Sequence, residues 1–162
     1  MFSRSIRLQL CGFCVGGLLL AAPAFAQHGP PVTVAERGRG AHIVVVGTIQ
    51  SSVPIYRANK FGDNLIVSQL TVQVLETLKG STPNFLVLEV DGGTINGITM
   101  KTSDLPELHP GDTVVFFLDQ SPTGDLTPHL RGYGLLRLNG GTVENSSLTL
   151  GQIRAELKGA GR

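Results

Sequence analysis

LIVSQLTVQVLETLKG, residues 65–80, is the stretch whose reading decides the fold. From Gln69 to Val74 the alternation is strict. Leu70, Val72 and Val74 fall on one face and Gln69, Thr71 and Gln73 on the other, the period-2 pattern of a half-buried strand. A helix competes, because Val67, Leu70, Val74 and Leu78 also recur at helical spacing. Two features decide for the strand. Six of the fourteen residues Leu65 to Leu78 are Val, Ile or Thr, and no N-cap pattern opens the segment. Strands usually run about 3–10 residues. One this long is expected to bend and to serve two sides of a closed sheet, with Lys79-Gly80 turning the chain out of it.

The flanking segments read as its partners. Upstream, Ala41 to Val53 is a strand with a continuous β-branched run, Ile43 to Val46, the composition of a strand buried on both faces. Gly47 inside it marks a bulge or bend, and Pro54, with no N–H to donate, is expected to end its ladder. Arg57 to Asn64 is a loop or a loose hairpin end. Downstream come a strand at Phe85 to Asp91, a break at Gly92-Gly93, and a short strand in Thr94 to Thr102 beside the Asn96-Gly97 turn signal. Leu105 to Leu108 reads as a linker, and Thr113 to Asp119 as the most apolar strand. After a turn at Ser121 to Asp125, Leu130 to Leu138 is expected to be a last strand, interrupted by Gly132 and Gly134.

Both ends carry helix signals. Thr33-x-x-Glu36 is a capping box that Gly38 and Gly40 confine to one or two turns, about Val34 to Arg39. Thr149-x-x-Gln152 is a second box. It opens Leu150 to Lys158, where Leu150, Ile153 and Leu157 form an apolar stripe fit to plug an open end or cover a sheet edge.

Before the domain lies an export signal. Arg4 and Arg7 precede an apolar run from Leu8 to Ala22, and Ala24-Phe25-Ala26 is an A-x-A box, so cleavage is expected between Ala26 and Gln27. Residues 1–26 are therefore read as signal peptide, 27–40 as an arm with a short helix, and 41–162 as the barrel with its C-terminal helix. The expected location is periplasmic or secreted, with no membrane span once the signal is removed. Cys11 and Cys14 both fall in that signal, so the mature chain would hold no thiol and no disulfide. Removing Arg4 and Arg7 from the 13 basic residues leaves 11 against 12 acidic ones, and a near-neutral surface argues against nucleic acid. There is no Trp to build a stacking platform.

No pattern for catalysis or metal binding emerges. His28, His42, His109 and His129 are far apart in sequence without H-E-x-x-H, and His109 and His129 flank Pro110 and Pro128 as surface turn residues do. There is no G-x-S-x-G. Asp104, Glu107 and Asp112 near one turn, and Asp119 and Asp125 near another, read as solvated turn carboxylates. Gly92-Gly93-Thr94 lacks the Lys-Ser/Thr and helix of a phosphate loop; it reads as a turn where only Gly fits, or as an exposed recognition loop. Asn145-Ser146-Ser147 is a glycosylation sequon, meaningful only in a host that glycosylates exported proteins. An enzyme would require His42 or His129 to meet a carboxylate in a cleft.

The order of several motifs carries a resemblance. Val45-Val46-Gly47-Thr48-Ile49, the V-L-E-T-L-K-G run of 74–80, Gly92-Gly93-Thr94, the H-P-G-D-T-V-V-F-F-L run of 109–118 and Gly132-Tyr133-Gly134-Leu135-Leu136 follow one another over 41–138. In this the chain resembles small exported bacterial proteins that share the OB-like barrel of netrin-type domains and of tissue inhibitors of metalloproteinases. The resemblance implies a single, mainly β domain: a five- to six-stranded OB-like barrel with a short N-terminal helix and a C-terminal helix. The inhibitors place an amino-terminal cysteine on the catalytic zinc; here the mature start is expected at Gln27 and no cysteine follows, so that chemistry does not carry over.

The function expected is a non-enzymatic exported domain, without cofactor or metal, that binds a protein or envelope partner through its loops. Arg57, Asn59, Lys60 and Asp63 on one loop and Gly92, Gly93, Thr94 and Asn96 on another are the candidate surfaces. The competing expectation is a small-molecule or carbohydrate-binding barrel with a concave mouth.

Overall fold

The computed structural model describes residues 32–59 and 61–160. The expected signal segment with its Ala26–Gln27 junction, His28 and Lys60 lie outside the described residues. The fold is mainly β with a helix towards each end. The central stretch is one continuous strand, β2 (Asn64–Lys79), in register along most of its length with an equally long β1 (Ile43–Ala58). The slips in that register fall at Val44/Val45, Val46/Gly47 and Ile49/Ser51. Gly47 belongs there, because a Cβ would run into Val72 Cγ1 and come within 3.0 Å of the Gln73 carbonyl oxygen.

β3 (Phe85–Asp91) follows antiparallel to β2. A separate hairpin, β4 (Gly93–Ile95) and β5 (Ile98–Met100), turns at Asn96 and Gly97, whose φ values of 52° and 81° are the left-handed pair that a two-residue I′ turn requires. β6 (Thr113–Gln120) pairs with β1 from Ile43 to Thr48, and β7 (Leu126–Pro128) joins β6 antiparallel and β3 parallel. Pairing thus runs β1–β2–β3–β7–β6 and returns to β1. β8 (Leu135–Asn139) and β9 (Thr142–Val143) extend the sheet beyond β6.

Three expectations change. Pro54 does not end β1; it pairs opposite Ser68. Ile49 directs both backbone groups away from β2, donating to Asp112 O at 3.0 Å and accepting from Gly111 N–H at 2.8 Å. After the slip at Gln50, alternation points Ser52 and Pro54 the same way. Beyond Thr48 no described strand pairs with β1 on that side, so the missing N–H leaves no gap in a ladder. Second, Leu130 to Gly134 is not strand. Leu130 and Arg131 take φ of 54° and 55°, a 3-10 turn follows over Arg131–Gly134, and the strand begins at Leu135. Third, β7 is a strand with no expected counterpart: Leu126–Pro128 falls between the expected turn at Ser121 to Asp125 and the strand expected from Leu130.

Two cores explain the unbroken apolar runs. Ile43, Val45, Ile49, Phe116 and Leu118 point inward to meet Leu70, Val72, Leu86 and Leu88. Their neighbours Val44, Val46, Val115 and Phe117 point outward, under α1 (Val34–Gly40) and α2 (Leu150–Ala160), onto Val34 and Ile153. β6 and the Ile43–Val46 part of β1 are buried on both faces, which is why their sequence does not alternate. The C-terminal helix accordingly covers a sheet face, together with α1, and not an open end.

Both capping boxes form. Glu36 N–H donates to Thr33 Oγ1 at 3.2 Å while Glu36 Oε2 accepts from Thr33 N–H at 2.8 Å. Thr149 N–H donates to Gln152 Oε1 at 2.8 Å, with the return bond at 3.3 Å. At the other end of α1, Lys79 Nζ donates to the carbonyls of Gly38 at 2.7 Å and Ala41 at 2.6 Å, a cation on the free acceptors of a helix terminus. The final Lys of the central strand therefore fixes where α1 sits.

Candidate functional site

The two candidate loops have different fates. In the first, Asn59 Oδ1 accepts from the N–H groups of Phe61 and Asp63 at 2.8 and 3.0 Å, and Asn59 Nδ2 donates to Asp63 Oδ2 at 3.0 Å. These polar atoms of Asn59 and Asp63 are spent on closing the loop. Arg57 is likewise engaged: its Nε donates to Glu89 Oε2 at 3.1 Å and its Nη2 to the other carboxylate oxygen.

The second loop borders a cleft of about 530 Å³, within the range of ligand pockets. Gly92, Gly93 and Thr94 line it; Asn96, at the hairpin tip, does not. Both glycines are required. Their φ values are 106° and 143°, and a Cβ on Gly93 would stand 2.8 Å from Ser68 Oγ and 3.1 Å from Pro54 Cβ. Gly92 is anchored in turn, donating to Ile66 O at 2.9 Å and accepting from Ser68 Oγ at 2.8 Å. The floor is apolar: Leu70 and Val90 belong to the inner core, and Leu105 and Leu108 pack against it.

The opposite wall is the segment from Lys101 to His109, whose middle, Leu105 to Leu108, reads from the sequence as a linker. Its signal was an apolar pair, Leu105 and Leu108, in an otherwise polar connection. Three contacts hold it. Arg131 Nε reaches Asp104 Oδ2 at 3.0 Å while its Nη2 lies 3.4 Å from Asp91 Oδ2, joining the two sides of the cleft. Gly132 packs so closely on the Asp104 carbonyl that any Cβ would overlap it. Arg137 Nη1 donates to Glu107 O at 3.0 Å. Left-handed backbone at Leu130 and Arg131 costs each residue roughly 1–2 kcal/mol, and it delivers the guanidinium to this bridge.

Each carboxylate named at the mouth has a cationic neighbour, although three carboxylates share two cations. Asp91 and Asp104 share Arg131, and Glu107 lies 3.8 Å from Lys101. Thr94 and Thr99 hydroxyls bond each other at 2.8 Å. An apolar floor beneath carboxylates that each have a cationic neighbour suits an uncharged, apolar group.

Two of the four histidines do converge. His129 Nδ1 lies 2.9 Å from Asp119 Oδ2, and His42 Nδ1 lies 3.6 Å from Asp119 Oδ1. His129 is thus no surface turn residue; its side chain is 16% exposed. Sequence distance hid the pairing, which β7 creates by bringing Pro128 opposite Leu118. The carboxylate orients the ring, but Nε2 faces Gly40 at the end of α1, where a Cβ would strike it. None of these three residues lines the cleft. His109, by contrast, sits on the cleft rim with its N–H donating to Asp112 Oδ2 at 2.8 Å. Among the described residues no group of three or more His, Cys, Asp or Glu is placed to hold a metal ion, and no helix is long and apolar enough to cross a membrane.

No protein-family model matches the chain, and no curated protein matches it.

Proposed function

We propose that the circuit of strands is an OB-like barrel, and that the chain is an exported, non-enzymatic binding domain. Its cleft beside the β4–β5 hairpin receives an uncharged apolar group of a protein or envelope partner. The observation that carries this reading is the cleft: about 530 Å³ over Leu70, Val90, Leu105 and Leu108, with the acidic groups of its rim already partnered. Gly92, Gly93 and Thr94, the turn expected to recognise a partner, form part of its lining. The cleft's volume also suits a free small molecule, and the absence of Trp turns that second reading away from sugars and towards apolar compounds.

A titration with an environment-sensitive apolar fluorophore tests the proposal. One equivalent is expected to bind with enhanced emission. Ser52→Phe, which places a ring in the cleft from its β1 wall, is expected to abolish binding while leaving the thermal midpoint within a few degrees. Binding that survives Ser52→Phe, or no binding at all, contradicts it.

A further inference from the structure

On one side β1 outruns its partner. β6 pairs with it from Ile43 to Thr48, and Ile49 then bonds Gly111 and Asp112, the residues leading into β6. From Ser52 to Tyr56 the strand is paired on its β2 side. Which main-chain groups this leaves over is fixed by β2. Val74 N–H donates to Asn84 O at 2.8 Å, Ile66 O accepts from Gly92 N–H at 2.9 Å, and the β2–β3 register runs between them without a slip. Even-numbered residues there turn their main chain towards β3, and Val67, Gln69 and Thr71 turn theirs towards β1, opposite Ile55, Val53 and Ser51. The N–H and C=O of Ser52 and Tyr56 and the C=O of Pro54 therefore point the other way. Among the described residues no hydrogen bond reaches them. This open edge borders the cleft: Ser52 and Pro54 line it, on the face they share with Leu70 and Ser68 across the ladder.

We propose that a short extended segment of a partner protein joins β1 here as an added antiparallel strand and sends side chains into the cleft. The added strand rests on the reading of the cleft as a site for an apolar group, and gives that group its carrier. Two observations select a peptide over a free apolar molecule. An apolar compound does nothing for the edge groups, whereas a peptide main chain repeats donor and acceptor at the same two-residue spacing. The faces also agree. Residues directly opposite in an antiparallel ladder share a face, so the two that meet Ser52 and Pro54 place their side chains in the cleft, over its apolar floor of Leu70 and Val90. Pro54 limits the reach of the pairing, because it accepts one bond and donates none; this edge suits a short segment and discourages a long strand such as a second β1. The segment that fits has about five residues, matching Ser52 to Tyr56, with apolar side chains at two positions two apart.

Hydrogen exchange followed by NMR tests this, with the acetylated and amidated peptide Thr-Leu-Thr-Leu-Thr as probe. In the free chain the amides of Val53 and Ile55 are expected to exchange slowly and those of Ser52 and Tyr56 fast. Saturating peptide is expected to slow Ser52 and Tyr56 about tenfold or more and to displace the apolar fluorophore. The same peptide N-methylated at both leucines keeps its side chains but loses the N–H groups that would donate to Ser52 and Pro54. It should bind about tenfold more weakly or worse. A Ser52 amide already slow in the free chain overturns the inference. So does a peptide that leaves both amides fast, or an N-methylated peptide that binds as tightly as its parent. Fluorophore binding that the peptide does not disturb would overturn the added strand and leave the cleft reading standing. Protection of both amides by peptide, on a chain that binds no fluorophore, would uphold the added strand and overturn the cleft reading.

Discussion

Gly132 meets the backbone carbonyl of Asp104 so closely that a methyl group has nowhere to go. The obstacle is main chain, which cannot swing aside as a long side chain can. Gly132→Ala is expected to cost on the order of 2–3 kcal/mol and, because Leu105, next to Asp104 in the chain, lines the cleft, to weaken binding of the apolar probe as well. A urea midpoint equal to the parent's would contradict the packing. Arg37 is the opposite case. Its Nε is buried without a hydrogen-bond partner, and burial pulls its guanidinium below the usual range, against the opposing influence of Glu156 and Tyr133. Arg37→Met keeps the apolar stem and removes the stranded donor, so stability should hold or rise by up to about 1 kcal/mol. A fall of more than that would show that the rest of the guanidinium matters more than its orphan atom costs.

At the scale of elements, α2 is held by its cap, by the fully buried Ile153, and by Arg154, whose Nε reaches both oxygens of Glu76 on β2 at 3.0 and 3.1 Å. Thr149→Ala removes the hydroxyl from the cap and should lower stability by about 1 kcal/mol, measured by urea denaturation. The Arg154 hydrogen bonds hold the Glu76 carboxyl below the usual carboxylate range, and Arg137 does the same to Glu144. A carboxyl depressed in the folded state contributes stability that is present above its unfolded pKa, about 4.3. That contribution is lost as pH falls through the folded value. Denaturation midpoints should therefore decline below about pH 4.3, and the decline should be shallower in Glu76→Gln. Both groups are partly solvated, so the effect is small; an unchanged slope in the variant would count against the pair.

Elements were legible where one local signal dominated. Both helices announced themselves through capping boxes, and β2 through alternation. β7 was missed because three residues carry no periodicity; its strand identity comes from neighbours on both sides. Leu130 to Gly134 was misread because a left-handed turn built from Leu and Arg has no compositional mark. Pro54 misled because its tolerance depends on which side of β1 is unpaired, a property of the sheet and not of the residue.

On the scale of the whole molecule, the candidate site joins parts that are distant in sequence. β1 and β2 supply one side, Gly92 to Thr94 the rim, and Lys101 to His109 the far wall, clamped by Arg131 from beyond β7. The sequence pointed to the Gly92 turn because two adjacent glycines demand an unusual backbone. It could not point to the far wall, whose apolar pair gains meaning when the chain folds back over Leu70 and Val90. The same long-range origin hid the meeting of His42, His129 and Asp119. The central claim is that this cleft receives an uncharged apolar group. Backbone amide shifts, followed by NMR while an apolar probe is titrated in, test it most directly. The account predicts saturable changes centred on residues 52, 68, 90–94 and 99–109, with His42, Asp119 and His129 unmoved. Changes centred anywhere else, or none at saturating probe, would contradict it.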